Sequence, residues 1–484
     1  MSRSLIAVIL FTWLTILDCG CKKLVDVKAP NNVITANSVY NSDVTSIAVL
    51  NGLYTQMSTN NYGSTATIPT VSMWAGLSAD ELTLWKGTTS ISQIAYYKNE
   101  LSATTAGGDF WMNIYPYIYT CNAAIGGLES SVSLTPAVKN QLLGEAKFLR
   151  AYFYFYLVNL YGDIPLVLST DYKINASLSR TPTSVVYNQI TADLQAAQNL
   201  LTDGYVKSDA LTLYSSSAER VRPCKAAATA LLARTYLYTS KWTDAEAQAT
   251  GVISNTAVYD TVPLNKVFLK NSKEAIWQLQ PVTTGTITNT ADAYSFVLSV
   301  PPVGLNFQHP VYLSDTLINS FETGDQRRTN GNWVNVYNDV TGTYYYPYKY
   351  KNVTQGTGVT PTEYTMLLRL GEQYLIRAEA RAQQGNITGA QSDLNVIRRR
   401  AGLSNTTAND KSSLLAAILN ERQVELFTEL GHRWLDLKRT GKVDVVMNTV
   451  TRIKGGNWSS YKQLYPVQLN ELLNNPYMIQ TTGY

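Results

Sequence analysis

Two carboxylates and an indole stand close together in LSADELTLW, Leu77–Trp85: Asp80, Glu81 and Trp85. That grouping admits two kinds of chemistry. A glycosidase flanks the scissile bond with a pair of carboxyl groups. A sugar-binding site uses carboxylates only to accept hydroxyl hydrogens, and a flat ring covers the apolar C–H face of the pyranose. The second use needs no perturbed pKa. Trp74, Tyr96 and Tyr97 fall in the same region of the chain. A second group, Tyr294, Asn306, Phe307 and His309, follows in a segment rich in Thr, Gly and Asn. An aromatic platform assembled from these two loop regions is the expected ligand site. Trp111, Tyr115 and Asn122 lie in FWMNIYPYIYTCNAAI, whose pattern is that of a helix face, and are expected in the core.

Other chemistries lack their residues. The 2 histidines, His309 and His432, are not arranged as HExxH, and no phosphate-binding G-x-x-x-x-G-K-[ST] or G-x-S-x-G elbow occurs. Neither a metal nor a cofactor is expected. Charged residues make up only 15%, against ~25% in ordinary domains, so the surface is largely neutral. The net charge of +4 is small for 484 residues, and no basic patch interleaved with aromatics is present, so nucleic acid is not an expected partner. Tyrosine dominates the aromatics, with 33 residues against 10 Phe and 9 Trp. A ring with a polar tip serves packed helices and sugar stacking equally well.

The elements that must position these groups begin after a leader. Arg3 precedes an uncharged run, Leu5–Ile16, of secretory rather than membrane-spanning length. Residues 1–20 read as a signal peptide, and Cys21, which follows the small Gly20, as a lipid-modified first residue. Cys19 follows Asp18 and fits less well. Cys121 and Cys224 are expected to be buried free thiols, with a single bridge as the alternative. In GEAKFLRAYFYFYLVNLYGDIPLV (Gly144–Val167), Leu149, Tyr152, Phe153, Tyr156, Leu157 and Leu160 form one face of a helix closed by Gly162 and Pro165. Cys224–Ile253 and Gly371–Leu403 read as two helical hairpins. Ala233 and Ala245 in the first, and Ala378 and Ala390 in the second, have the same spacing across a polar turn, which suits close antiparallel helices of tetratricopeptide type. Residues 281–362 and 58–94 read as loops and short strands.

NERQVELFTELGHRWLDLKRTGK (Asn420–Lys442) resembles the signature of the SusD/RagB family of outer-membrane nutrient-binding lipoproteins. YLIRAEARAQQGNITGAQSDLNVIRRRAGL, YPVQLNELLNNPYMIQTTGY and the CKKLVDVKAP start also fit. The resemblance implies a mainly α, tetratricopeptide-like scaffold decorated with long loops and a few short strands. It implies a leader (1–20) and N-terminal (21–225) and C-terminal (226–484) regions that form one unit. It further implies a lipid anchor at the outer membrane facing outward and capture of an oligosaccharide or other nutrient without catalysis. The implied partner is a SusC-like TonB-dependent transporter, on which the lipoprotein sits as a lid. A tetratricopeptide-like adaptor with no small-molecule site, and a glycoside hydrolase, are the alternatives. Within the signature, Glu429 with Arg433 and Asp436 with Arg439 are spaced to pair along a helix. Val424, Phe427, Leu430 and Trp434 offer it an apolar face. The stretch reads as scaffold, with His432 a packing or surface residue.

Overall fold

The structure, a computed structural model, describes residues 39–58, 70–105, 109–282, 289–302, 309–354, 356 and 358–484. The leader with Cys21, and the site candidates Asn306 and Phe307, lie outside the described residues. Helices form the body: α1 (Asp43–Ser58), α2 (Val71–Ser78), α3 (Ile91–Lys98), α4 (Asp109–Ser130), α5 (Pro136–Tyr161), α6 (Tyr172–Asn175), α7 (Thr183–Leu200), α8 (Lys225–Tyr238) and α9 (Trp242–Ile253) come first. After them come α10 (Ala291–Phe296), α11 (Asp315–Ile318), α12 (Leu370–Gln383), α13 (Ile387–Arg400), α14 (Lys411–Leu426), α15 (His432–Arg439), α16 (Val443–Ile453) and α17 (Leu469–Asn474). The strands pair as antiparallel ribbons: β1 (Leu82–Leu84) with β3 (Val311–Leu313), β2 (Ala275–Leu279) with β6 (Thr365–Arg369), and β4 (Val334–Asp339) with β5 (Gly342–Pro347). This is the mainly α, tetratricopeptide-like fold expected.

The aromatic run falls in α5, which starts with a proline in its first turn, where a missing N–H does no harm, and ends at Gly162 with φ +75°. The sequence pattern predicts one buried face. Nearly every side chain from Leu142 to Tyr161 is buried instead, Tyr154, Phe155 and Val158 included. The reason is position: α4 and α7 both pack against α5, so it has no solvent face. Trp111 is buried on α4, Tyr115 donates its hydroxyl to Pro165 O (2.9 Å), and Asn122 donates to Val167 O (2.9 Å), so all three belong to the interior as expected.

From α7 the stack continues through α8, α9, α12, α13 and α14, each packed on the next. Ala233, Ala245, Ala378 and Ala390 are all fully buried, and their small side chains let each hairpin close. The two hairpins meet at α9 and α12, where Arg381 pairs with Glu246 at 2.7 Å and Thr243 donates to Gln384 Oε1 at 2.9 Å. Cys121 and Cys224 are buried and unbridged.

Two expectations change. Part of 58–94 is helical, as α2 and the start of α3, because this segment packs into the core rather than over it. The signature is not one continuous helix either. Between α14 and α15 the chain turns sharply, with Thr428 (φ 52°), Leu430 (φ 48°) and Gly431 (φ 75°) in the left-handed region. A side chain at Gly431 would meet Ala75 Cβ at 2.7 Å, so the turn fits α2 only as glycine. The turn breaks the spacing of Glu429 and Arg433, which pair elsewhere, whereas Asp436 and Arg439 do pair, at 2.7 Å.

Candidate functional site

The signature turn holds together the pieces of one surface. Arg433 on α15 grips Asp80 with two parallel bonds of 2.8 Å each. The Thr428 N–H donates to Glu81 Oε1 (3.3 Å) and the Leu430 N–H to Ser72 Oγ (2.9 Å). These contacts fix the segment leading into β1. On the other side Lys349, just past β5, donates to the carbonyls of Glu425 and Phe427 (2.8 Å each) and to Glu429, with its ammonium 4.0 Å from the Phe427 ring centre. Beneath lies a buried charge cluster. Arg369 binds Glu274 (2.9 Å), Glu425 (2.6 Å) and Glu429 (2.7 Å), while Arg327 binds Asp325, Glu421 and Glu425. Burial alone would raise the Glu425 carboxyl, but Arg400, Arg369 and Arg327 together hold it well below the usual carboxylate range.

On this base β1 pairs with β3 in the register Leu82↔Leu313, Thr83↔Tyr312, Leu84↔Val311. Trp85 follows directly, and its N–H donates to Pro310 O at 2.7 Å, which places it beside His309. The indole lies on Gly87, where a Cβ would come within 2.1 Å of the ring. Trp85 is half-buried. His309 sits 6.2 Å from Tyr294, ring centre to ring centre, and burial lowers its pKa. Tyr97, half-buried on α3, bonds to Thr83 and lies near Tyr312. Tyr312 in turn meets Tyr344 edge-to-face at 5.2 Å. Across the hairpin Tyr337 faces Tyr344 and Asn335 faces Tyr346, the two joined by an Asn335–Tyr346 hydroxyl bond of 2.9 Å. Tyr348 completes the row, 5.8 Å from Tyr346.

The result is a ledge of half-buried rings: Trp85, Tyr97, Tyr294, His309, Tyr312, Tyr337, Tyr344 and Tyr348. It joins the two regions that the sequence pointed to. Tyr312, Tyr337, Tyr344 and Tyr348 were not among the candidates. A signal for two of them, Tyr344 and Tyr348, was present: in TYYYPYKY, alternate tyrosines share one face of a strand.

Four candidates stand elsewhere. Tyr96 is 1% exposed against Tyr465 and is core, and Trp74, half-buried, packs on it at 4.7 Å, away from the ledge rings. Asp80 and Glu81 are each 1% exposed. One is neutralised by Arg433 and the other is sealed under the turn, so they hold the ledge up and do not stand on it. Glu81 Oε2 has no hydrogen-bond partner, and burial, with the Asp80 charge second, pushes this carboxyl up to about 8. The shift predicts a pH effect. A carboxyl whose folded value is raised contributes its stability fully below the unfolded value of about 4.3 and loses it as pH rises through the folded value. Glu81→Gln is therefore expected to match the parent in urea unfolding at acidic pH and to exceed it above about pH 8. Parallel pH profiles for the two proteins would refute this.

Two sequence profiles of one family match the chain. That of the SusD family matches residues 282–484, and one described as starch-binding associating with outer membrane matches residues 25–237. The chain belongs to the SusD/RagB family. It is 26% identical over 477 residues to SusD-like protein P2 of Formosa agariphila, spanning 87% of this chain and 88% of that one. A solved SusD superfamily protein from Bacteroides vulgatus superposes with a TM-score of 0.78 at 20% identity, covering 92% of this chain and 100% of that one. A laminarin binding SusD-like protein gives 0.71 at 22% identity, covering 91% and 99%. These likenesses establish the SusD fold. Members of the family are glycan-binding proteins and not enzymes, which agrees with the immobilised Asp80 and the sealed Glu81. Among the described residues no helix is long and apolar enough to cross a membrane.

Proposed function

We propose that this SusD-family chain binds a neutral glycan on the tyrosine ledge and delivers it to a SusC-like TonB-dependent transporter, held at the outer membrane by a lipid on Cys21. The observation that carries the reading is the ledge itself. Its rings come from four separate segments, and each remains half-buried. A row of phenols offers apolar faces to sugar C–H groups and hydroxyls to their edges. The starch-binding description of the matched family and the laminarin-binding neighbour support a glucan. A partner surface is also available. Tyr172, Ile174, Leu473, Tyr477 and Ile479 are all more than half exposed, on segments tied together by an Asn475–Leu178 O bond of 2.8 Å. Exposed apolar side chains on neighbouring segments suit a protein partner.

Affinity electrophoresis of residues 22–484 in gels cast with starch, laminarin and other polysaccharides tests the reading. One glucan is expected to retard the protein. Trp85→Ala and Tyr344→Ala are each expected to weaken binding by about tenfold, the loss of one stacked ring, with the thermal midpoint unchanged. Binding should hold between about 0.05 and 0.5 M salt, since no net charge is paired. Unaltered retardation in both variants would move the site away from the ledge.

A further inference from the structure

A separate cleft of about 640 Å³ opens between the end of α1, the 206–222 segment and the end of β2, and it shares no residue with the ledge. Its size is that of a small-ligand site. The charges around it cancel. Arg222 at its base donates to Glu145 Oε2 (2.7 Å) and to Asn51 Oδ1, and Tyr54 donates to the same Glu145 oxygen (2.7 Å). Lys207, at the rim, and Glu219 carry opposite charges. The remaining polar groups are uncharged amides and phenols. Asn51 and Gln280 are exposed, and Tyr214 is half-exposed with Lys207 5.9 Å from its ring centre. Glu219 accepts from Asn271 through Oε1 (3.2 Å), while its Oε2 is buried and unpartnered. The Tyr364 hydroxyl, which lines the same cleft, lies beside this carboxylate.

Flat phenol rings, neutral amides and an acceptor short of a hydroxyl describe a site for an uncharged polyol. A cation would meet Arg222 and Lys207, and an anion would meet Glu219. We infer that this cleft is a second binding site, independent of the ledge, that takes a short neutral sugar stacked on Tyr214 and hydrogen-bonded to Glu219.

The test uses maltotriose, laminaritriose and xylotriose as probes, followed by saturation-transfer NMR and calorimetry on residues 22–484. With Trp85→Ala and Tyr344→Ala combined, the ledge is disabled, and one trisaccharide is still expected to bind. Adding Tyr214→Ala should weaken that residual binding by about tenfold, as for one lost ring, and Glu219→Ala should weaken it at least as much. In the otherwise unaltered chain, Tyr214→Ala alone should remove one of two classes of site and leave the other. Loss of all trisaccharide binding in the ledge double variant, with the fold intact, would overturn the proposal. So would residual binding indifferent to Tyr214→Ala and Glu219→Ala. Neither result bears on the ledge, whose own variants are read in the polysaccharide gels.

Discussion

Arg369→Ala is expected to destabilise the chain by about 3–5 kcal/mol, a large part of the ~5–15 kcal/mol that holds a folded protein together. Arg369 is 2% exposed at the end of β6 and is surrounded by Glu274, Glu425 and Glu429. Removing the cation leaves carboxylates in a region that water does not reach, where their mutual repulsion is weakly screened. The effect should spread, because Glu425 is also shared with Arg327 and Arg400. Urea unfolding provides the measurement. Lys225→Ala, which breaks an exposed pair with Asp203 (side chains 49% and 89% exposed), is the control and should cost under about 1 kcal/mol. Equal shifts of the two midpoints would show that the buried cluster contributes no more than a surface pair.

Asp80→Ala is expected to lower stability by about 3–5 kcal/mol as well, because it strands Arg433 at 8% exposure without its bidentate partner. Glycan affinity should fall with it, since Asp80 and Glu81 fix the entry to β1 and hence the height of Trp85. The two effects should respond together to rescue. Asp80→Ala combined with Arg433→Leu removes the unpaired charge and should recover much of the stability, as replacing a whole buried pair by apolar side chains commonly does. Trp85→Ala behaves in the opposite way, losing affinity with the midpoint intact. If Asp80→Ala left the thermal midpoint unchanged and abolished glycan retardation, Asp80 would be a ligand-contacting residue after all.

What the sequence conveyed follows from the range over which each interaction acts. The hairpins were readable because small residues at a fixed spacing report on a neighbour only a few residues away. The family was readable because the signature is a dense set of contacts in one stretch. The roles of Asp80 and Glu81 were not, because the groups that bury them, Arg433 and Thr428, lie in the last third of the chain. A carboxylate beside a tryptophan looks the same in either setting until its partner is known. Glu429 and Arg433 show the converse error: their spacing suits a helix, and the left-handed Leu430 and Gly431 interrupt it. The ledge was half legible. Trp85, Tyr97, Tyr294 and His309 were marked by residue type, whereas Tyr312, Tyr337, Tyr344 and Tyr348 depend on a cross-strand register that composition does not encode.

The seam between α9 and α12 joins helices that are separated by the whole of 254–369, the stretch that carries β3 and the β4–β5 hairpin. Closing a loop depends on its length only logarithmically, at about 0.6 kcal/mol for each doubling. The hairpin turn at Asp339–Gly342 is exposed, with Val340 fully in solvent. Lengthening this turn therefore leaves the helical stack nearly indifferent. The outer turn of the recognition surface can be varied as an insert, whereas Glu274, Arg327, Lys349 and Arg369 bolt the rest of that stretch to the body.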